Sequence, residues 1–401
     1  LPPRVEDALV REWRGLASGR PLGKGEGLTG RELDAAARDL LRLQRGLTGS
    51  RALAGSPYMD DPALLGAYIL YYWPSSFVQA GRALDRCLAF SGLPAPGRIL
   101  DLGAGPGPAA AAFAARGALE ICLIDPSPMA LAAGGRLLGA IAGPGLRPSI
   151  IPAGSAGGGL GCVARTVASR GAGGGFDAII VSHVLNELGH DVEERAEELD
   201  GLVDLLSPRG FLLLIEPALL FASRGLLALR DALLDRGLVL MAPCLWKGPC
   251  PALTAGPWQT CHDALDWEPP AFTLELARRA GLERPSLKMA WAAFSARRGP
   301  AKGGMENQGP ADAPRTETCL VVSEPMLNKA GKTRFFFCGP SGRFTLSARL
   351  GALPDDCADF GRLRRGMLVE LSGAATRADS KAAEAGAGRG LEAGMSLRII
   401  G

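Results

Sequence analysis

The pattern of apolar and polar positions divides the chain into three stretches. From residue 1 to about 95 the apolar residues recur at helical spacing. Arg31 to Arg45 (RELDAAARDLLRLQR), for example, sets Leu and Ala on one face and charges on the other. PYMDDPALLGAYILYYWPSSF follows, with Tyr68, Tyr71 and Tyr72 within five positions, and Pro74 is expected to end that run. Such an aromatic group reads first as core packing and second as a face for a substrate or an RNA base.

From Arg98 the period changes. RILDLGAGPG reads as a strand entering a glycine-rich turn, and PAAAAFAAR as the helix after it. LEICLID (119–125) and PSPMALAAGGRLLGAI repeat the pair. PSIIPA is a weak third strand, FDAIIVSHVL (176–185) and GFLLLIEP (210–217) are strong ones, and AFTLELARRAG with SLKMAWAAFSARR close the set. Strands alternating with helices predict an α/β, doubly wound parallel sheet over 96–298. Residues 153–175 (AGSAGGGLGCVARTVASRGAGGG) read as a mobile loop and 299–314 as a linker. Beyond it, TCLVVSEP, KTRFFFCGPSGRFTLSARL and RRGMLVELSGAA predict a small β-barrel of OB type over 315–401.

Composition narrows the function classes. A chain of 401 residues, 47% apolar and 21% charged, folds as two or three domains and is not globally disordered. The net charge is +3, all of it arising in residues 301–401, so any nucleic-acid contact must rest on a local patch. The longest apolar stretch, Gly210 to Ala222, is broken by Glu216 and Pro217 and is too short to span a bilayer, so no membrane partner is expected. LPPRVEDALV has neither the basic nor the apolar part of a signal peptide. Nine Cys are too few for a disulfide scaffold and odd in number. A reducing compartment is expected, with clustered Cys as ligands.

The most specific local signal is Asp101-Leu102-Gly103-Ala104-Gly105-Pro106-Gly107. Its spacing, D-x-G-x-G-x-G, is that of class I S-adenosylmethionine (SAM) methyltransferases, and it departs from the dinucleotide G-x-G-x-x-G because Pro108 stands where the third Gly belongs. Asp101 is placed to pair with a cationic methionyl amino group, and Asp125, ending the second strand, to take two ribose hydroxyls. The bland alternative is a glycine turn in an unliganded α/β fold. IIPAGSA lacks the acid that often holds adenine after a third strand. After the fourth strand, Ser182-His183-Val184-Leu185-Asn186-Glu187 is not the Asp/Asn-Pro-Pro-aromatic sequence of amino-directed nucleic-acid methyltransferases. His183 and Glu187 are candidate general bases, a structural role being the competing reading, and the catalytic residues stay unknown.

Cys244, Cys250 and Cys261 fall in a Pro- and Gly-rich segment within 241–268, spaced C-x5-C-x10-C. Candidates for a fourth ligand are His262 and the distant Cys338 in FFFCGPSG. From the residues alone the set holds zinc, holds an iron–sulfur cluster, or is three unrelated thiols. Cys87, Cys122 and Cys162 read as buried thiols, and Cys319 and Cys357 stand alone.

Together AYILYYWPSSF, LDLGAGPG, FDAIIVSHVLNEL, LLLIEP, APCLWKGPCP, TCH and FFFCGPSG resemble one family: the methyltransferase-like small-ribosomal-subunit assembly factors, which comprise methyltransferase-like protein seventeen of mitochondria and its bacterial relatives. The resemblance runs from about Tyr58 to the C-terminus. It implies a [4Fe–4S] cluster on Cys244, Cys250, Cys261 and Cys338 that staples the small domain onto the methyltransferase domain. It also implies a small-subunit rRNA partner and a setting in bacterial cytoplasm or mitochondrial matrix; bacterial cytoplasm is expected because no Arg/Ser-rich transit segment is visible, and a monomer is expected. The glycine-rich insertion at 153–175, the Leu-Trp-Lys-Gly between the first two Cys and the Gly/Ala-rich tail depart from the pattern. Arg362, Arg364 and Arg365 are candidate phosphate contacts. Two further readings stand beside the assembly factor: an active SAM-dependent rRNA methyltransferase, and a small-molecule methyltransferase with structural zinc.

Overall fold

In the computed structural model the N-terminal helices α1 (Pro3–Ser18), α2 (Gly30–Gln44) and α3 (Pro62–Ser91) lie against the α/β sheet. The structure describes residues 1–18, 27–49, 51–53, 55–142, 145–152, 175–187, 191–282, 286–298, 316–373 and 389–401. Cys162, the loop 153–174, the linker 299–314 and most of the Gly/Ala-rich tail lie outside these residues. Val5, Leu9, Trp73 and Phe77 of the helices share one buried core with Ile99, Ile121, Leu213 and Trp291 of the sheet. Residues 1–95 are therefore part of the α/β body and not a separate layer.

Helix α3 corrects one expectation: it does not stop at Pro74 but continues to Ser91. Asp61 caps its start, accepting from the Ala63 and Leu64 amides, and Gly92 closes it at φ 65°. A proline inside a helix leaves the carbonyl four residues earlier without its donor. Here that carbonyl belongs to Leu70, and Thr273 Oγ1 donates to it at 2.9 Å. The neighbouring Trp73 Nε1 donates to Pro106 O at 3.0 Å and ties α3 to the glycine turn.

The first sheet comprises β1 (Arg98–Leu102), β2 (Glu120–Asp125), β3 (Arg147–Pro152), β4 (Phe176–Ser182), β5 (Leu206–Pro217), β6 (Leu238–Ala242), β7 (Asp263–Leu265) and β8 (Leu287–Arg298). Its order is β3-β2-β1-β4-β5-β8-β6, with β7 pairing on β8. Strands β1 to β5 are parallel, as expected. The sheet as a whole is mixed, because β8 runs antiparallel between β5 and β6. The remaining helices are α4 (Pro108–Ala114), α5 (Pro128–Ala142), α6 (Val192–Val203), α7 (Leu220–Asp235), α8 (Pro251–Thr254) and α9 (Ala271–Ala280). Leu276 and Ala277 of α9 pack with Leu40, Leu43 and Leu70 of α2 and α3. Helix α9 thus makes no sheet crossover, and the chain re-enters the sheet reversed.

The C-terminal part has its own core, in which Phe335, Phe337, Phe360, Val369 and Leu371 meet. It holds β9 (Glu317–Val321), β10 (Met326–Leu327), β11 (Thr333–Gly339), β12 (Gly342–Ala348), β13 (Leu368–Ser372), β14 (Arg389–Gly390) and β15 (Ser396–Ile399). Their order is β14-β12-β11-β9-β13-β15, with β10 on β11, and β12–β14 is the parallel pair. Among the described residues the pairings form an open path. The β-rich character matches expectation, whereas closure into an OB barrel is not among these pairings. No helix among the described residues is long and apolar enough to cross a membrane.

Candidate functional site

The glycine turn sits where β1 gives way to α4, at the carboxyl edge of the parallel strands, where α/β folds bind ligands. Gly103 and Gly105 adopt φ of 65° and 51°. A Cβ on Gly103 would lie 2.3 Å from Val184 Cγ2, and one on Gly105 3.1 Å from Met59 Sδ. Glycine is needed at both places for conformation and for close approach. Ala104 is buried and its amide donates to Ile124 O, while the Gly107 amide donates to Ala104 O.

Both acids expected here are present and buried. Asp101 Oδ2 accepts from the Ala110 amide at 3.0 Å, and burial, reinforced by nearby Asp125, pushes its carboxyl up to about 7. Asp125 accepts from the amides of Gly105 and Ser127, each at 2.8 Å, so β2 holds the turn in shape. Ser127 Oγ in turn donates to Asp60 Oδ1 at 2.6 Å, bringing the Tyr58–Asp60 turn onto the same edge.

Further polar groups complete the edge, among them the two candidate general bases Glu187 and His183. Tyr58 OH donates to Glu187 Oε1 at 3.5 Å. Burial, with the Asp125 charge added, raises Glu187 to about 7. Burial also raises the Tyr68 hydroxyl, with Glu187, Asp101 and Asp125 contributing, so these groups surround one region. His183 holds a strained φ of 62°. Its Nε2 lies 3.2 Å from Gln79 Oε1, and Gln79 Nε2 donates to Lys288 O at 2.9 Å. The Gln79 amide is thereby oriented with Oε1 as acceptor, which places a proton on His183 Nε2. Glu216 is 1% exposed. Its Oε1 accepts from the Leu185 amide at 3.0 Å, its Oε2 has no partner, and burial lifts it to about 8. A charged residue inside the apolar LLLIEP was the sequence signal for it.

The Cys set forms at the seam between the two cores. Cys250 is buried, while Cys244, Cys261 and Cys338 are partly so. Burial pushes each thiol up, Cys261 to about 12, and for Cys250, Cys261 and Cys338 neighbouring thiols push in the same direction. Cys338, on β11 of the C-terminal sheet, feels Cys244, Cys261 and Cys250 of the body. Arg230 and Lys247 face Cys244, and Arg343 faces both Cys261 and Cys338. Among the described residues no three or more His, Cys, Asp or Glu side chains form a group that could hold a metal ion.

His262, the other candidate ligand, is kept neutral. Burial, with Arg365 and Lys288 nearby, lowers it to about 4, and its Nδ1 is buried without a partner. A cavity of about 40 Å³ opens here, lined by Arg86, Arg230, Cys244, Cys261, Trp291 and Gly366 among others. Cys87, Cys122, Cys319 and Cys357 are buried thiols elsewhere. Of the candidate phosphate contacts, Arg362 and Arg364 are exposed. Arg365 is drawn into the seam, donating to Val322 O at 2.6 Å and to His262 O at 3.3 Å.

Fold and glycine turn define the class: the body is a SAM-methyltransferase-type α/β domain. Residues 73–263 match the family described as a methyltransferase domain. Among solved structures, magnesium protoporphyrin IX methyltransferase from Synechocystis PCC 6803 with bound SAH is 13% identical over 71% of this chain and 92% of that one, with a TM-score of 0.35. A TehB-like SAM-dependent methyltransferase from Corynebacterium glutamicum is 16% identical over 54% and 87%, with a TM-score of 0.30. At these scores the likeness says nothing of substrate or mechanism. No curated protein sequence matches the chain.

Proposed function

We propose that this chain is a SAM-binding factor of small-ribosomal-subunit assembly, in which a [4Fe–4S] cluster on Cys244, Cys250, Cys261 and Cys338 staples the C-terminal β-domain to the methyltransferase body. The observation that carries the reading is the position of Cys338: it comes from the second sheet, yet its thiol feels all three body thiols. When bound, the cluster supplies a rigid cross-link between the two cores. The chain's own residues hold the three-thiol side in shape. Ser223 Oγ donates to Cys261 O at 2.8 Å, and Asp231 Oδ2 accepts from the Cys250 amide at 2.8 Å. The rRNA partner, the monomeric state and a bacterial cytoplasmic or mitochondrial matrix setting are supported by the family resemblance, with the exposed Arg362 and Arg364 offering contacts to phosphate.

SAM is supported by the glycine turn with its two acids. Asp101 and Glu187, both poised near neutrality, would ionise beside its ammonium and sulfonium. A second reading, methyl transfer to rRNA, is favoured by His183. It follows β4 at the carboxyl edge of the sheet, its Nε2 3.2 Å from Gln79 Oε1. SAM supplies the electrophilic methyl, and His183 or Glu187 would remove the acceptor's proton.

The test is anaerobic purification with iron, sulfide and zinc analysis, run beside Cys338→Ser. Brown protein with about four irons, lost in the variant, is the expected result. Colourless protein with zinc or no metal overturns the cluster. Co-sedimentation with immature small subunits checks the partner. Tritiated methyl in their rRNA would replace the non-catalytic reading with the enzymatic one.

A further inference from the structure

Leu219, Leu220 and Phe221, where β5 gives way to α7, are 37%, 36% and 47% exposed, and Trp258, in the loop before β7, is 79% exposed. Exposed apolar residues scattered singly are ordinary, whereas these are joined. Arg224, one turn after Phe221 on α7, donates through Nη1 to Gly256 O at 2.8 Å and to Gln259 O at 2.7 Å. The Gln259 amide donates to Gly256 O at 3.2 Å, so residues 256–259 form a closed turn pinned to the start of α7, with Trp258 near its tip. Ser223 Oγ donates to Cys261 O at 2.8 Å and fastens the end of the same loop. An aromatic side chain presented on a turn held in this way needs little further ordering when a partner arrives.

Charge and position identify the occupant. Residues 217–225 and 243–262 contain Arg224 and Lys247 and no Asp or Glu. The guanidinium of Arg51 lies over the Phe221 ring, 4.3 Å from its centroid, and its Nη2 donates to Asn186 O at 2.7 Å. All three cations bond carbonyl oxygens, and among the described residues none of them forms an ion pair. Their charge is therefore left to act on whatever crosses the surface. Through Asn186 the patch borders the segment that carries His183 and Glu187, the two candidate bases. Rings beside cations, with carboxylates absent, suit single-stranded nucleic acid: bases stack on any ring, and phosphates take the positive charge. A duplex keeps its bases stacked on one another and offers no such face. A purely apolar partner would leave the cationic bias without use.

We propose that Trp258, Phe221 and Arg51 line a track for single-stranded RNA that crosses the body toward the edge holding His183 and Glu187. The inference rests on the rRNA partner proposed above and gives that partner a surface on the body, separate from Arg362 and Arg364.

The test measures binding of a fluorescein-labelled single-stranded RNA of mixed sequence to the full chain by anisotropy, over a series of salt concentrations. Trp258→Ala and Phe221→Ala are each expected to weaken binding about tenfold, as for the loss of one stacked base. Arg51→Met is expected to weaken it less and to make the salt dependence shallower, which a merely structural role would not do. Melting temperature is the folding control, and Trp258→Ala, at an exposed tip, decides where Phe221→Ala melts early. Where wild type binds immature small subunits but not the oligonucleotide, the same variants are compared by co-sedimentation, with the same expected order. Folded variants that bind as wild type does, or a duplex bound as tightly as the single strand, overturn the track and leave the rRNA reading on Arg362 and Arg364. Self-association lost in Trp258→Ala, without RNA binding, gives the patch to a second copy of the chain and also overturns the track. Wild type that binds neither RNA nor subunits overturns both readings.

Discussion

The guanidinium of Arg86 on α3 holds Asp263 Oδ2 at 2.5 Å, and through its other terminal nitrogen donates to Gly366 O of the C-terminal domain at 2.6 Å. Trp291 Nε1 closes on the same carboxylate at 3.4 Å. One buried ion pair therefore belongs to the body and also fastens the second domain. Arg86→Met leaves Asp263 buried and uncompensated, with an expected loss of about 3–5 kcal/mol. Urea unfolding is the check, and Arg86→Met with Asp263→Asn should recover most of the loss.

Gly103→Ala is expected to destabilise the protein by about 1–2 kcal/mol for the backbone strain at φ 65°, with a further cost from the Val184 contact. Adding Val184→Ala should remove the contact and leave the strain. A double-mutant cycle read by denaturant midpoints separates the two. Full additivity would show that Val184 does not press on the turn.

Thr273→Val removes the hydroxyl that serves Leu70 O beneath Pro74. The loss should be about 1–3 kcal/mol, as for a buried acceptor left alone, with Thr273→Ser near wild type. Thermal melts of the two variants distinguish the hydroxyl from packing.

The buried acids set a pH dependence of definite sign. Glu216 is raised to about 8 from 4.5, Asp101 to about 7 from 3.8 and Glu187 to about 7 from 4.5, each chiefly by burial. The unfolded chain releases these protons first, so the stability they contribute is full below about pH 4 and is lost as pH rises toward 8. The slope approaches about 1.4 kcal/mol per pH unit for each group that titrates freely. Glu216→Gln should flatten the stability profile between pH 5 and 8 and raise the pH 8 melting temperature. SAM, being cationic, should stabilise the protein more at pH 8 than at pH 6.

Local patterns carried much of this in the sequence. RILDLGAGPG and LEICLID are read from residues within one turn or strand, and Asp101, Gly103, Gly105 and Asp125 do converge. Helix α6 was not picked out, although the capping box of Asp191 and Glu194 that opens it spans only three residues. What was not legible depended on distant partners. Helix α3 runs through Pro74 because a threonine far along the chain takes over its lost bond. The reversal of β8 follows from where α9 packs, and no periodicity encodes that. Arg230 lies on the buried stripe of α7 with Leu226, Leu227 and Leu233, and its partners, the carbonyls of Trp246 and Gly248, belong to a loop beyond the helix.

The thiols that meet at the seam are far apart in the order in which the chain is made. A ribosome delivers Cys244, Cys250 and Cys261 well before Cys338 and β11, and at about 5–20 residues per second several seconds separate the two events. Until the C-terminal sheet has folded, the cavity lined by Cys244 and Cys261 lacks the wall that Leu320, Val321 and Val322 supply, and the body presents that apolar surface to water.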